Sequence, residues 1–358
     1  MDENCPTHIK EAFLDVSEAP GPGEQYNMMP RLQVSCSNGN LVINSNSVPH
    51  YSFIPMTPND LVERDEEWSV PLEPSYDVSI EPTNIGADGP VVLGYMGFTN
   101  TGLNIFGPTE GGQPANQAYG DPVYNNILDD CGGHTAFAYH NHALNFRCFN
   151  PNGLTANPAT DPQPEILYTS LILGFGPDGF PIFNEYEYAN NDGVNLVSPQ
   201  SSYELIDGQN PQRYVFDAYE YVEKDNLEIY LDECNGHSHD NPHGYEYHYH
   251  TTEDFPYIYG CIRGEPFGIG GGGQGFIKGR RPRRLLADFR DGTAAATTTE
   301  STTTREKCGE TGALAEAAAV TTEDRGHFEE YSRTIVETGD RFEDGRPGSA
   351  SHARAVGR

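Results

Sequence analysis

A cysteine–histidine cassette occurs twice in this 358-residue chain, and its spacing constrains the fold more than any other feature. The first copy runs Asp129-Asp130-Cys131-Gly132-Gly133-His134 and reaches His140-Asn141-His142 and then Cys148. The second runs Asp232-Glu233-Cys234-Asn235-Gly236-His237 and reaches His248-Tyr249-His250 and then Cys261. Both therefore read Asp-x-Cys-x-Gly-His, a spacer, His-x-His, and a further Cys. Six of the twelve histidines occupy equivalent places in the two copies, which packing seldom requires and metal coordination often does.

The repeat extends upstream. Leu93-Gly94-Tyr95, a turn and Leu103–Gly107 precede the first cassette, while Leu173-Gly174-Phe175, a turn and Phe180–Asn184 precede the second. Each half thus offers a hydrophobic hairpin followed by a cassette, as an internal duplication over about 91–150 and 170–265 would produce. Short apolar or aromatic runs separated by turn residues continue through Tyr214–Tyr221 and Leu227–Leu231. Ser37-Asn38-Gly39-Asn40 between two apolar runs is a hairpin signal, and Pro177-Asp178-Gly179 is a turn. Val91–Tyr95 and Leu171–Phe175 read as short buried strands, and helical periodicity is confined to Ile9–Phe13. The expected fold is mostly β: a pseudo-duplicated, β-sandwich-like domain with long loops over residues 31–265. A loose polar lead-in, residues 1–30, precedes it. A Gly-rich linker and disordered tail, residues 266–358, follow it. The basic run Arg280–Arg284 in that tail is open to reading as a processing site, an interaction patch or a solvated stretch.

Charge limits the partners. Residues 1–270 hold 7 Lys and Arg against 39 Asp and Glu, which is the whole of the net charge of −32. An acidic body repels nucleic acid and anionic membrane and attracts cations. No apolar run approaches the ~18 residues of a membrane helix, and Met1–Lys10 has no signal-peptide character. The seventh cysteine, Cys308, lies in the tail. The other six form an even set whose pairs Cys131/Cys148 and Cys234/Cys261 bracket the cassettes, leaving Cys5 and Cys36. Disulfides in an extracellular or cell-surface setting are the preferred reading, and thiolate metal ligands the competing one. Six cysteines allow 15 connectivities, so the local pairing stays open.

On a strand, residues i and i+2 share a face, so His140 with His142, and His248 with His250, project together. With His134 and His237, which follow turn-forming glycines, they supply three imidazoles per copy, a donor set suited to zinc or copper. Asp129 and Asp232 are expected behind them, each accepting an imidazole N–H. His239, Asp240 and His243 are either extra ligands or a polar loop, with the loop preferred. The alternation Glu185-Tyr186-Glu187-Tyr188 suggests a strand with one face of rings buried and the other solvated. Neither a G-x-S-x-G elbow nor a P-loop is present.

The run Leu231 to Gly264, with Tyr247-His248-Tyr249-His250 at its centre, resembles the signature of the YHYH-domain family. Pro177–Phe183 and Leu41–His50 are similar to other segments of that family, so the resemblance covers roughly residues 31–265. The first cassette departs from it: Tyr139-His140-Asn141-His142 keeps both histidines and loses the second tyrosine. Members of the family look secreted or surface-attached, which the resemblance implies here as well. The functional expectation is an extracellular transition-metal-binding protein, copper or zinc. The alternatives are a metal-dependent hydrolase or oxidase with a three-His centre, and a disulfide-stapled structural or adhesion module without metal.

Overall fold

Antiparallel hairpins dominate the computed structural model, which describes residues 2–84, 94–111, 119–136, 138–162, 168–226 and 228–265. Helix α1 (Thr7–Ala12) is followed by strands β1 (Leu32–Ser37), β2 (Asn40–Ser45) and β3 (Glu66–Pro71), then β4 (Thr83–Asn84). Next come β5 (Tyr95–Thr99), β6 (Asn104–Phe106), β7 (Gly133–Thr135) and β8 (Tyr139–Asn141). The second half carries β9 (Ile172–Phe175), β10 (Pro181–Phe183), β11 (Glu187–Tyr188), β12 (Leu196–Val197), β13 (Tyr203–Leu205) and β14 (Tyr219–Tyr221). Strands β15 (Gly236–His237), β16 (His248–His250) and β17 (Cys261–Ile262) complete the described chain.

Strands β1, β2 and β3 form one sheet. Its first hairpin turns on Asn38 and Gly39, both at positive φ, and pairs Ser37 with Asn40, the two-residue turn that the sequence signals. The central sheet has eight strands in the order β15-β16-β10-β9-β5-β6-β8-β7. That order reads the same from both edges. Antiparallel β5/β9 lies in the middle, β6/β8 and β10/β16 are the two parallel pairs, and each cassette forms an outer antiparallel pair.

Both faces of the central sheet are covered. On one, Phe98, Ile172, Phe175 and Phe183 share a buried cluster with Val34, Leu41, Ile43, Trp68 and Val70 of the three-stranded sheet. On the other, Met96, Ile105, Tyr139, Leu173, Ile182 and Tyr249 bury against the cassette cysteines and long loops. Each such side chain contributes about 1.5–3 kcal/mol when fully buried. Two stacked open sheets with long connections match the sandwich-like expectation.

One expectation is overturned. The lead-in 1–30 is not loose: Ile9, Ala12, Phe13, Val16 and Ala19 are buried, and a Cys5–Cys36 disulfide ties it to β1. Apolar spacing on α1 outweighs the Gly and Pro content around it. The first described strand of the upstream hairpin is Tyr95–Thr99, and the bulge before Gly97, at φ 149°, sets its register on β6. Val91–Leu93, Leu227 and the whole of 266–358, with the basic run and Cys308, lie outside the described residues.

Candidate metal centres

Each cassette is a strand pair closed at its turn by a carboxylate. Asp129 Oδ1 accepts the N–H groups of Cys131 and Gly133, and Tyr139 donates to Oδ2 at 2.6 Å. Asp232 Oδ1 accepts from Cys234 and Gly236, and Tyr247 donates to the same carboxylate at 2.9 and 3.0 Å. Both aspartates therefore hold the turn instead of orienting an imidazole, which corrects the expectation for them. The reason is local: the turn N–H groups lie four residues or fewer from the aspartate and face inward, where an unpaired donor is costly. Burial pushes both carboxyls up to about 6, against the hydrogen bonds that oppose it. Their folded pKa thus exceeds the unfolded value near ~3.9, so the folded state binds more protons between the two. Their contribution to stability should rise as the pH falls from about 6 to about 4. Comparing urea stability at pH 4.5 and 7 for wild type and Asp129→Asn/Asp232→Asn checks this; an identical pH slope would contradict it.

Disulfides Cys131–Cys148 and Cys234–Cys261 fasten the turns to the following segments. Tyr139 and Tyr247 point into one core, and the histidines project from the opposite face. There His140 stacks on Phe106 (ring centroids 3.7 Å apart) and His248 on Phe183 (4.3 Å). The family-type tyrosine Tyr249 donates to Asp178 and accepts from the Arg263 N–H. Its counterpart Asn141 donates to the carbonyl of Cys131 at 3.1 Å. The substitution alters packing and leaves the histidine pair in place.

The six histidines converge as two groups of three, each joined by a glutamate: Glu110 with His134, His140 and His142, and Glu187 with His237, His248 and His250. In the first, His134 and His142 Nε2 are 3.1 Å apart, His140 and His142 Nε2 3.2 Å, and Glu110 Oε2 is 3.0 and 3.3 Å from His134 and His142. In the second, His237 and His250 Nε2 are 3.1 Å apart. Glu187 Oε1 lies 3.0 Å from His237, and its Oε2 lies 3.4 Å from both His248 and His250. Donors held about 2.0–2.1 Å from one ion are about 3.0 Å apart at right angles and about 3.4 Å apart at the tetrahedral angle. Every one of these separations falls in that range, so each group could hold one metal ion.

The imidazoles are turned for that use. His142 and His250 face the carbonyls of Gly107 and Asn184 with Nδ1, at 2.6 and 2.7 Å, and His140 faces that of Ala138 at 2.9 Å. A carbonyl only accepts, so Nδ1 carries the proton and the Nε2 lone pair points into the cluster. His248 Nε2 and Glu187 Oε2 are both buried and 3.4 Å apart, yet neither has a hydrogen-bond partner among the described residues. Buried polar atoms rarely stay unsatisfied, and a cation between these two would satisfy both. Burial holds His134 and His237 below the ordinary imidazole range, and His140 and His248 well below it. Burial alone would raise the two glutamates, but their histidine contacts override it and hold both far below the carboxylate range.

Both glutamates escaped the sequence reading. Glu187 was expected on a solvated strand face and is 1% exposed, with the flanking tyrosines only half-buried. A signal existed: Glu110 and Glu187 each stand four residues after the stacking phenylalanines Phe106 and Phe183 and three after the carbonyls of Gly107 and Asn184. Carrying the repeat one turn past the hairpin would have paired them. Of the spacer residues, Asp240 is exposed and His243 binds the carbonyl of Ser170. His239 departs from the loop reading: its Nε2 lies 3.1 Å from Glu187 and 3.0 Å from His237.

A family model described as YHYH protein matches residues 67–264, more than half of the chain. The match spans both cassettes and begins after the Leu41–His50 segment. No curated protein and no solved structure matches.

Proposed function

The chain belongs to the YHYH family, and we propose that it is a transition-metal-binding protein with two centres, each made of three imidazoles and one carboxylate. The observation that carries this reading is the meeting, twice, of three buried imidazoles and a carboxylate whose candidate donor atoms all lie within 4.8 Å of one another. Three nitrogens and one oxygen suit zinc or copper. Four protein donors per centre favour holding an ion over activating water, because a catalytic zinc keeps one position for solvent or substrate. In this reading the two halves descend from one duplicated unit, hairpin, glutamate and cassette together. Three disulfides fit an oxidising compartment, so the protein works outside the cell or at its surface.

His248→Ala/His250→Ala tests the second centre directly. The double variant should lose one ion per chain by elemental analysis and keep the ion of the first centre. Wild-type metal content combined with lowered stability would favour a purely structural role for these histidines.

A further inference from the structure

The two centres differ in the residue two places after the first histidine, and in the second centre that residue is the most exposed of the group. His239 stands two residues after His237; Ala136 stands at the equivalent place after His134. His239 Nε2, His237 Nε2 and Glu187 Oε1 form a triangle with sides of 3.0, 3.0 and 3.1 Å. Three donors at right angles around one ion at about 2.1 Å would make such a triangle. The Nδ1 of His239 lies 2.7 Å from the carbonyl of Asp240, which leaves Nε2 directed at the cluster. The ring meets those of His237 and His248 edge-on, at 4.3 and 4.9 Å.

His239 also lines a cavity of about 510 Å³ together with Tyr76, Asn191, Asp240 and Glu246. Its side chain is 13% exposed, whereas those of His237, His248, His250 and Glu187 are at most 4% exposed. In the first centre the outermost donor is the carboxylate of Glu110, at 20%. The second centre has drawn its carboxylate inside and set an imidazole at its mouth.

We propose that His239 is a fifth ligand of the second centre. This makes it a site of four imidazoles and the Glu187 carboxylate, whose Oε1 faces His237 and His239 and whose Oε2 faces His248 and His250, while the first remains a site of three imidazoles and one carboxylate. The inference rests on the metal-binding reading above. Copper(II) takes tetragonal nitrogen and oxygen sets with five donors readily, whereas a structural zinc ion is complete with four. The added donor makes the second centre the tighter of the two for copper(II), so the first equivalent per chain fills it.

The test is copper(II) titration of the metal-free full chain, wild type and His239→Gln, followed by calorimetry and by the electron paramagnetic resonance spectrum at one equivalent. Glutamine retains a hydrogen-bond donor to Glu187 and lacks the imidazole. We expect His239→Gln to weaken the tighter of two sites tenfold or more, to change the one-equivalent spectrum, and to leave the weaker site as it was. An isotherm and spectrum identical to wild type would overturn the fifth-ligand assignment. Failure of wild type to take up copper(II) or zinc(II) would instead overturn the metal-binding reading itself. His239→Ala repeats the measurement without the polar side chain. Loss of the tight site in His239→Ala with retention in His239→Gln would show that His239 only supports Glu187, and would equally overturn the assignment.

Discussion

Stripping metal from the purified protein with a strong chelator should lower its melting temperature by about 15 °C or more. A ligand bound only to the native state stabilises it by about 4 kcal/mol at a thousandfold excess over its dissociation constant. Two such centres give about 8 kcal/mol, and each kcal/mol moves the midpoint by about 2–4 °C in a domain of 150–250 residues. Removing the ion also leaves Glu187, 1% exposed, with an unsatisfied oxygen beside His248. Readdition of zinc(II) or copper(II) should restore the midpoint, since the disulfides keep the cassette turns in place. Equal midpoints before and after chelation, with metal removal verified, would count against both centres.

The second large effect is steric. A methyl group at Gly236 would lie 2.4 Å from the Tyr247 hydroxyl and 2.5 Å from the carbonyl of His248. At Gly133 the corresponding distances are 2.3 Å to the Tyr139 hydroxyl and 2.8 Å to the His140 carbonyl. The tyrosine could swing only by leaving its aspartate, and the carbonyls belong to the strands that carry the histidine pairs. Gly236→Ala should therefore push β16 away from β15 and separate His237 from His248 and His250. Ligand sets tolerate about 0.5 Å of such displacement. We expect Gly236→Ala to lose one ion per chain and about 3 kcal/mol of stability, the upper end for overpacking. Gly244→Ala is the control. That glycine has φ 77° with open space around it, so only backbone strain of about 1 kcal/mol is involved. Urea denaturation and metal analysis of the two variants decide the matter, and equal behaviour would contradict the account.

Much of this was legible in the chain because period-two projection is a property of any strand. His140, His142, His248 and His250 could be placed on one face from spacing alone, and Gly133 and Gly236 marked where the turns had to be tight. The Asn38-Gly39 hairpin was equally local. What the chain did not disclose depends on contacts distant in sequence. Glu110 is 24 residues from His134, and Glu187 is 50 from His237. Only the parallel pairings β6/β8 and β10/β16 bring them together. A carboxylate near histidines suggests an imidazole partner for Asp129 and Asp232, but the turn N–H groups two and four residues on are the nearer donors. Composition misled at the N-terminus, where a single six-residue helix and one disulfide anchor a segment rich in glycine and proline.

The central claim is that two ions reside in this one chain. Elemental analysis of protein purified without chelators or affinity metals, normalised to chain concentration, tests it most directly. The account predicts two transition-metal ions per chain, falling to one in His248→Ala/His250→Ala and to one in His140→Ala/His142→Ala. Protein that is folded, disulfide-bonded and free of stoichiometric metal, and that takes up neither zinc(II) nor copper(II) when offered, would contradict it.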